Sequence, residues 1–89
     1  MGELVKITVL FFAKSRELVG NKSSELEVKS DVRPTDLLQS IISKHNSLQI
    51  LSGSLLLSIN EDYVDINSEE IVSLKSGDTV AVIPPISGG

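Results

Sequence analysis

The sequence predicts an α+β fold in which a mixed β-sheet covers one main helix. Apolar side chains recur with strand or helix periodicity in the order strand, strand, helix, strand, strand, strand. The first and last strands are the most apolar, which places them at the centre of the sheet and parallel to each other. One segment carries a helical apolar stripe broad enough to cover a sheet face. With 89 residues, the chain is long enough for one such two-layer domain.

Residues 4–12 form the first strand, whose polar and apolar side chains alternate. Leu10 and Phe12 fall on the face that begins polar and ends apolar. Either a small helix or loop covers them, or Phe12 belongs to an exposed apolar patch that contacts a partner. The opposite face is suited to the core and consists of Val5, Ile7, Val9 and Phe11.

A short helical turn over residues 13–20 follows. We expect Ser15 to cap it and Gly20 to end it in a left-handed conformation. Residues 21–29 then form a second strand, antiparallel to the first. Residues 30–33 are a connector.

The main helix is predicted over residues 34–44. Pro34 suits the first helical position, and Asp36 and Lys44 complement the helix dipole at either end. His45, the only histidine, is expected to end the helix rather than to catalyse. The apolar stripe of the helix consists of Leu37, Leu38, Ile41 and Ile42.

The second half of the chain is predicted to contain three strands. After a loop over residues 46–54, residues 55–60 form a strand, Glu61-Asp62 a tight turn and Tyr63-Val64 a short strand. Tyr63 is either a half-buried ring at the sheet edge or a second member of the patch with Phe12. A polar connection follows, anchored by Ile66, Ile71 and Leu74.

The last strand is predicted over residues 80–83, after a turn at Gly77-Asp78. Pro84-Pro85 stops it, because neither ring nitrogen can donate to a β-ladder. The remaining tail ends in two glycines, which have no Cβ and fit a narrow channel. The tail is either a frayed terminus or a presented one, and the strand leading directly into Pro-Pro favours presentation.

Composition excludes several classes of function. The chain has no cysteine, so disulfides, thiolate metal sites and side-chain persulfides are excluded. The net charge of −4 argues against nucleic acid, and no apolar run is long enough for a membrane span. We expect a cytosolic protein. The acidic side chains between residues 61 and 70 are either a solvated face or the approach for a basic partner.

The chain shows no catalytic triad, no phosphate-binding loop and no metal-ligand spacing. We therefore expect no bound metal and no intrinsic cofactor. If the chain carries a reactive group, that group is the terminal carboxylate of Gly89.

Two motifs resemble one known family, the small sulfur-carrier subunits of molybdopterin synthase. The specific one is the C-terminal run Gly77-Asp78-x-Val80-Ala81-x-x-Pro84-Pro85-x-Ser87-Gly88-Gly89. The other is the N-terminal run Leu10-Phe11-Phe12-Ala13-Lys14-x-Arg16-Glu17-x-x-Gly20. The match in length and order covers essentially the whole chain.

The resemblance implies a ubiquitin-like β-grasp fold, with a domain over residues 1–85 and a flexible reactive tail over residues 86–89. It implies that an E1-like enzyme uses ATP to adenylate Gly89 and converts it to a thiocarboxylate. The sulfur would then pass to cyclic pyranopterin monophosphate inside the large synthase subunit, in a heterotetramer. The implied tail-insertion residues are Pro85, Ile86, Ser87 and Gly88, and the implied partner contacts are Phe12, Arg16, Tyr63 and Ile83.

Three alternatives remain open on sequence. Sulfur carriers for thiamine synthesis or tRNA thiolation also end in two glycines, although the Pro-Pro-x-Ser segment favours molybdopterin. A ubiquitin-like modifier would be joined to lysines through Gly89. A non-covalent interaction module would not require an intact tail.

Overall fold

The computed structural model describes residues 3–51 and 53–84, and these residues form a mixed five-stranded sheet, a two-stranded sheet and three helices. In chain order the elements are β1 (Leu4–Phe11), α1 (Ala13–Val19), β2 (Ser23–Lys29), β3 (Asp31–Val32), α2 (Pro34–Lys44), a 3-10 helix (Asn46–Leu51), β4 (Leu56–Ile59), β5 (Asp62–Val64), β6 (Val72–Ser73) and β7 (Thr79–Ile83).

The larger sheet has the strand order β2-β1-β7-β4-β5. The first and last strands, β1 and β7, are neighbours and parallel, with Leu10 opposite Ala81. All other neighbours in this sheet are antiparallel. The predicted central pair and the predicted β-grasp arrangement are therefore confirmed.

The core lies between the larger sheet and α2. The predicted face of β1 is buried from Ile7 to Phe11, and the predicted stripe of α2 is buried along its length. Each of these side chains contributes about 1.5–3 kcal/mol when it leaves water. The 3-10 helix adds Leu48, which is fully buried. One face of the sheet is thus closed, and its opposite face stays open.

The start of α1 differs from the prediction. Strand β1 ends at Phe11, and Phe12 has extended backbone angles and is the N-cap residue. Ser15 occupies the third helical position, not the cap, because the hydrogen bond from the Phe12 N–H to the Val82 carbonyl prolongs the β1–β7 ladder by one residue. The predicted left-handed Gly20 is confirmed, with φ of 84°.

The hairpin between β4 and β5 turns one residue earlier than predicted. Ile59 pairs with Asp62, so the two-residue turn is Asn60-Glu61 and not Glu61-Asp62. Both turn residues have positive φ, 49° for Asn60 and 75° for Glu61. This combination is that of a type I′ turn, whose twist matches that of the flanking strands.

Two segments predicted as connections pair with each other. Strands β3 and β6 form a two-stranded antiparallel sheet, with Val32 opposite Val72. Of the anchors predicted nearby, Leu74 is buried and Ile66 packs against the core. Ile71 is 57% exposed, so its prediction as an anchor was wrong.

Within the described residues, none of the helices has the length and apolar character needed to cross a membrane.

Candidate functional site

A groove of about 630 Å³ lies on the open face of the larger sheet. We call it the open-face groove. Its floor and walls come from β1, β4, β5 and β7 and from the residues that adjoin these strands. The lining residues are Leu10, Phe12, Ser58, Asn60, Glu61, Tyr63, Thr79, Ala81 and Ile83.

Strand alternation explains why these side chains share the open face. Side chains directly opposite each other in a sheet point to the same face. Ala81 is opposite Leu10 on one side and Ser58 on the other, and Ser58 is in turn opposite Tyr63. The odd-numbered residues of β1 fill the core, so its even-numbered residues face the groove. The same register that builds the core therefore builds the groove.

The groove leaves aromatic and aliphatic surface in contact with solvent. Phe12 is 46% exposed and Tyr63 is 72% exposed. Leu56 does not line the groove, but it is opposite Ile83 in the ladder and is 43% exposed on the same face of the sheet. An apolar concave surface of this kind is typical of a binding face. No loop of the described chain covers Phe12. Tyr63 is far more exposed than a half-buried ring, which was one of the two alternatives that the sequence offered for it.

Three of the four predicted partner contacts meet here. Phe12, Tyr63 and Ile83 all line the open-face groove. Arg16 does not, because it lies on α1 beside a separate depression formed with Gly20 and Lys22. The structure thus divides the predicted contacts between two surfaces.

Ser15 fixes the edge of the groove, a role that sequence reasoning missed. Its side chain is fully buried. The hydroxyl accepts a hydrogen bond from the Phe12 N–H at 3.1 Å. It donates its own proton to the Phe12 carbonyl, 2.6 Å away, or to the Val82 carbonyl, 3.2 Å away. One hydroxyl therefore holds the groove residue Phe12 to the end of β7. No sequence pattern distinguishes this serine from an exposed one.

Asn60 and Asp78 hold the opposite end of the groove. The Asn60 amide donates to Asp78 Oδ1 at 3.1 Å, and its Oδ1 accepts from the Thr79 N–H at 3.0 Å. The Lys75 N–H donates to Asp78 Oδ2 at 2.8 Å. That bond and the Asn60 amide keep the pKa of Asp78 below its ordinary value of 3.8. The network attaches the β4–β5 turn to the start of β7.

His45 belongs to the core side of the sheet, away from the groove. Its ring packs edge-on against Phe11 with centroids 5.1 Å apart, and its Nε2 lies 3.0 Å from the Ser24 hydroxyl. Partial burial, followed by the charge of Lys44, lowers the pKa of His45 from its ordinary 6.5. Among residues 3–51 and 53–84, no group of three histidine or acidic side chains is arranged to hold a metal ion.

The chain leaves the sheet beside the groove. Ile83 is both the last residue of β7 and a groove residue, and Pro84 after it is buried. The predicted tail-insertion residues from Pro85 to Gly88, the predicted reactive Gly89 and the domain boundary after residue 85 lie outside the described residues.

The chain resembles proteins of one family over its whole length. The model of the ThiS family matches residues 9–89. The molybdopterin synthase sulfur carrier subunit of Drosophila melanogaster is 44% identical over 88 residues, which cover 99% of this chain and 96% of that protein. The human molybdopterin synthase sulfur carrier subunit is 35% identical, with 100% of both chains covered.

Solved structures have the same fold. Small archaeal modifier protein 1 from Methanosarcina acetivorans matches with a TM-score of 0.76 and 25% identity, over 99% of this chain and 100% of that one. A subunit in the complex of subunits 1 and 2 of molybdopterin-converting factor from Helicobacter pylori matches with a TM-score of 0.65 and 22% identity, over 96% and 100%. The chain therefore belongs to the ThiS family, and its resemblance to molybdopterin synthase sulfur carrier subunits extends over its full length.

Proposed function

We propose that this chain is the sulfur carrier of a molybdopterin synthase and that Gly89 carries the sulfur. The observation that supports this most strongly is the full-length identity to molybdopterin synthase sulfur carrier subunits, 44% for the fruit-fly protein. In addition, the sequence contains the run Pro-Pro-x-Ser-Gly-Gly at its end, and it has no cysteine at any position. A carrier without thiols needs another group to hold sulfur, and a terminal carboxylate is such a group.

The chemistry needs an activated carboxylate. A carboxylate is a poor acyl donor because its charge repels nucleophiles and oxide is a poor leaving group. Transfer of AMP from ATP to the Gly89 carboxylate releases pyrophosphate and gives a mixed anhydride. A hydrosulfide-equivalent donor then attacks the carbonyl carbon, AMP leaves, and a thiocarboxylate remains. Splitting the transfer in this way is ordinary covalent catalysis. ATP would be bound by an activating enzyme of the E1 class, not by this chain.

The open-face groove is the surface that we assign to the large synthase subunit. The groove adjoins the point at which the chain leaves β7, so a subunit that covers Ile83 also covers the point where the tail begins. Its solvent-exposed rings, Phe12 and Tyr63, supply the apolar area that such a contact needs. The last two glycines would then enter a channel that admits only backbone, and the pterin precursor would accept the sulfur there. Arg16, on its separate surface, is proposed to contact the activating enzyme.

The docking step is tested by two alanine variants of exposed apolar residues. Tyr63→Ala should weaken binding of the cognate large subunit by at least tenfold, as truncation of an aromatic anchor commonly does. Ile50→Ala is the matched control, because Ile50 is 76% exposed but does not line the groove. Equal affinities for the two variants would show that the groove is not the docking surface.

The transfer step is tested by Gly88→Ala in a reconstituted system of activating enzyme, large subunit and pterin precursor. An added Cβ should block tail insertion without changing the fold, so the variant binds the large subunit but forms little product. Full sulfur transfer by the variant would exclude a channel that admits only backbone.

A second candidate function is that of a protein modifier. It is favoured by the similarity to small archaeal modifier protein 1, whose TM-score here is 0.76. A modifier would appear in cells as a ladder of heavier species that disappears when Gly89 is deleted, whereas a sulfur carrier would give no ladder.

A further inference from the structure

The turn at the rim of the open-face groove contains a residue that fits its backbone poorly. Glu61 is the second residue of the Asn60-Glu61 turn and has a φ of 75°. A type I′ turn needs positive φ at this position, and glycine is the residue that adopts it without strain. A glutamate here makes the fold less stable than a glycine would, and Asn-Gly is the pair that type I′ turns prefer.

The fold does not need the Glu61 side chain to form this turn. Asn60 already fixes it through hydrogen bonds to Asp78 and to the Thr79 N–H. Within the described part of the chain, the Glu61 carboxylate takes part in no hydrogen bond and no ion pair. Glu61 is exposed. Its side chain therefore offers no stabilising contact that would offset the strained backbone.

The position of Glu61 suggests what the side chain does instead. It is the one charged residue among the described residues that line the groove. Its neighbours there include two exposed rings, Phe12 and Tyr63. A single anion at the rim of an apolar surface attracts a cation on the partner, orients the approach and disfavours acidic surfaces.

We propose that Glu61 is a binding residue for the large synthase subunit and that its carboxylate pairs with a lysine or arginine of that subunit. The inference rests on the proposed function, since it specifies the chemistry of the partner at the same groove. A rim pair of this kind acts mainly on the association rate and is screened by salt.

Three variants test this through affinity for the cognate large subunit and through thermal stability. Glu61→Gln removes the charge and keeps the shape, Glu61→Gly also removes the strain, and Glu69→Gln is a control for net charge outside the groove. Both Glu61 variants should raise Kd by about threefold to fivefold at low salt and by less at high salt. Glu69→Gln should change Kd by less than about twofold. Only Glu61→Gly should raise Tm, by about 4 °C.

Each contrary result overturns the inference in a recognisable way. If Glu61→Gln and Glu69→Gln bind equally, the carboxylate has no partner cation. If Glu61→Gly leaves Tm unchanged or lowers it, the strain on which the argument depends is absent. If the unmodified chain itself fails to bind the large subunit, the proposed function is wrong. If it binds and only the Glu61 variants give a contrary result, the inference about Glu61 alone is wrong.

Discussion

Replacing Ser15 by alanine removes the hydroxyl that holds the groove edge to the end of β7. The hydroxyl accepts one hydrogen bond from the Phe12 N–H and donates its proton to the carbonyl of Phe12 or Val82. Two hydrogen bonds are lost at a fully buried position, at about 1 kcal/mol each. Alanine recovers roughly 0.5 kcal/mol through its higher helix propensity. We expect a net loss of about 1.5 kcal/mol in the free energy of unfolding.

Urea denaturation measures this loss in the free energy of unfolding. In thermal denaturation the same loss should lower Tm by about 6–12 °C for a domain of this size. Ser40→Ala is the matched control, since Ser40 also lies in a helix and its hydroxyl donates to the Asp36 carbonyl at 3.1 Å in an exposed position. That variant should stay within about 0.5 kcal/mol of the parent chain. Equal losses for both serines would refute the role assigned to the Ser15 hydroxyl.

Three further predictions concern backbone strain and pH. Gly20→Ala should cost about 1 kcal/mol by urea denaturation because φ is 84°, whereas Gly53→Ala, where a Cβ also meets open space, should be nearly neutral. The pKa of Asp78 is lowered in the folded chain, so its stabilising contribution is present above pH 3.8 and is lost as the pH falls through the lower folded-state pKa. Asp78→Asn should make the free energy of unfolding depend less on pH in this acidic range. The pKa of His45 is also lowered, so as the pH falls this histidine binds a proton in the unfolded chain before it does so in the folded chain. The free energy of unfolding should therefore fall as the pH decreases below 6.5. His45→Gln should remove this part of the pH dependence, and an unchanged pH profile would contradict the prediction.

The main elements were predictable because their periodicity is local. The limits of α2 agree with the predicted residues 34–44, since Pro34 starts it and the buried stripe continues to Ile42. The parallel pairing of β1 with β7 was also predictable, because strands with continuous apolar runs belong in the middle of a sheet.

The errors arise where distant residues decide local structure. Strands β3 and β6 have two residues each and therefore no periodicity to detect. The hairpin turn is displaced to Asn60 because that side chain bonds Asp78, 18 residues away in sequence. Ser15 has the propensity of an N-cap, but the ladder to Val82 makes Phe12 the cap.

The candidate site was predicted in part. Phe12, Tyr63 and Ile83 were named as partner contacts from the family resemblance, and the register of the sheet brings all three to one groove. That they contact a partner stays a prediction. The separation of Arg16 from that groove depends on how α1 lies on the sheet, which no local pattern shows. The strained backbone of Glu61 could likewise not be predicted, because it follows from the turn being one residue earlier than expected.

The central claim is that Gly89 carries sulfur as a thiocarboxylate, and intact mass spectrometry tests it most directly. The chain is incubated with its activating enzyme, ATP and a sulfur donor, next to a variant that lacks Gly89. We predict a mass increase equal to the replacement of one oxygen by sulfur, located at Gly89 and absent from the variant. An unchanged mass, with an activating enzyme shown to be active on another carrier, would contradict the account.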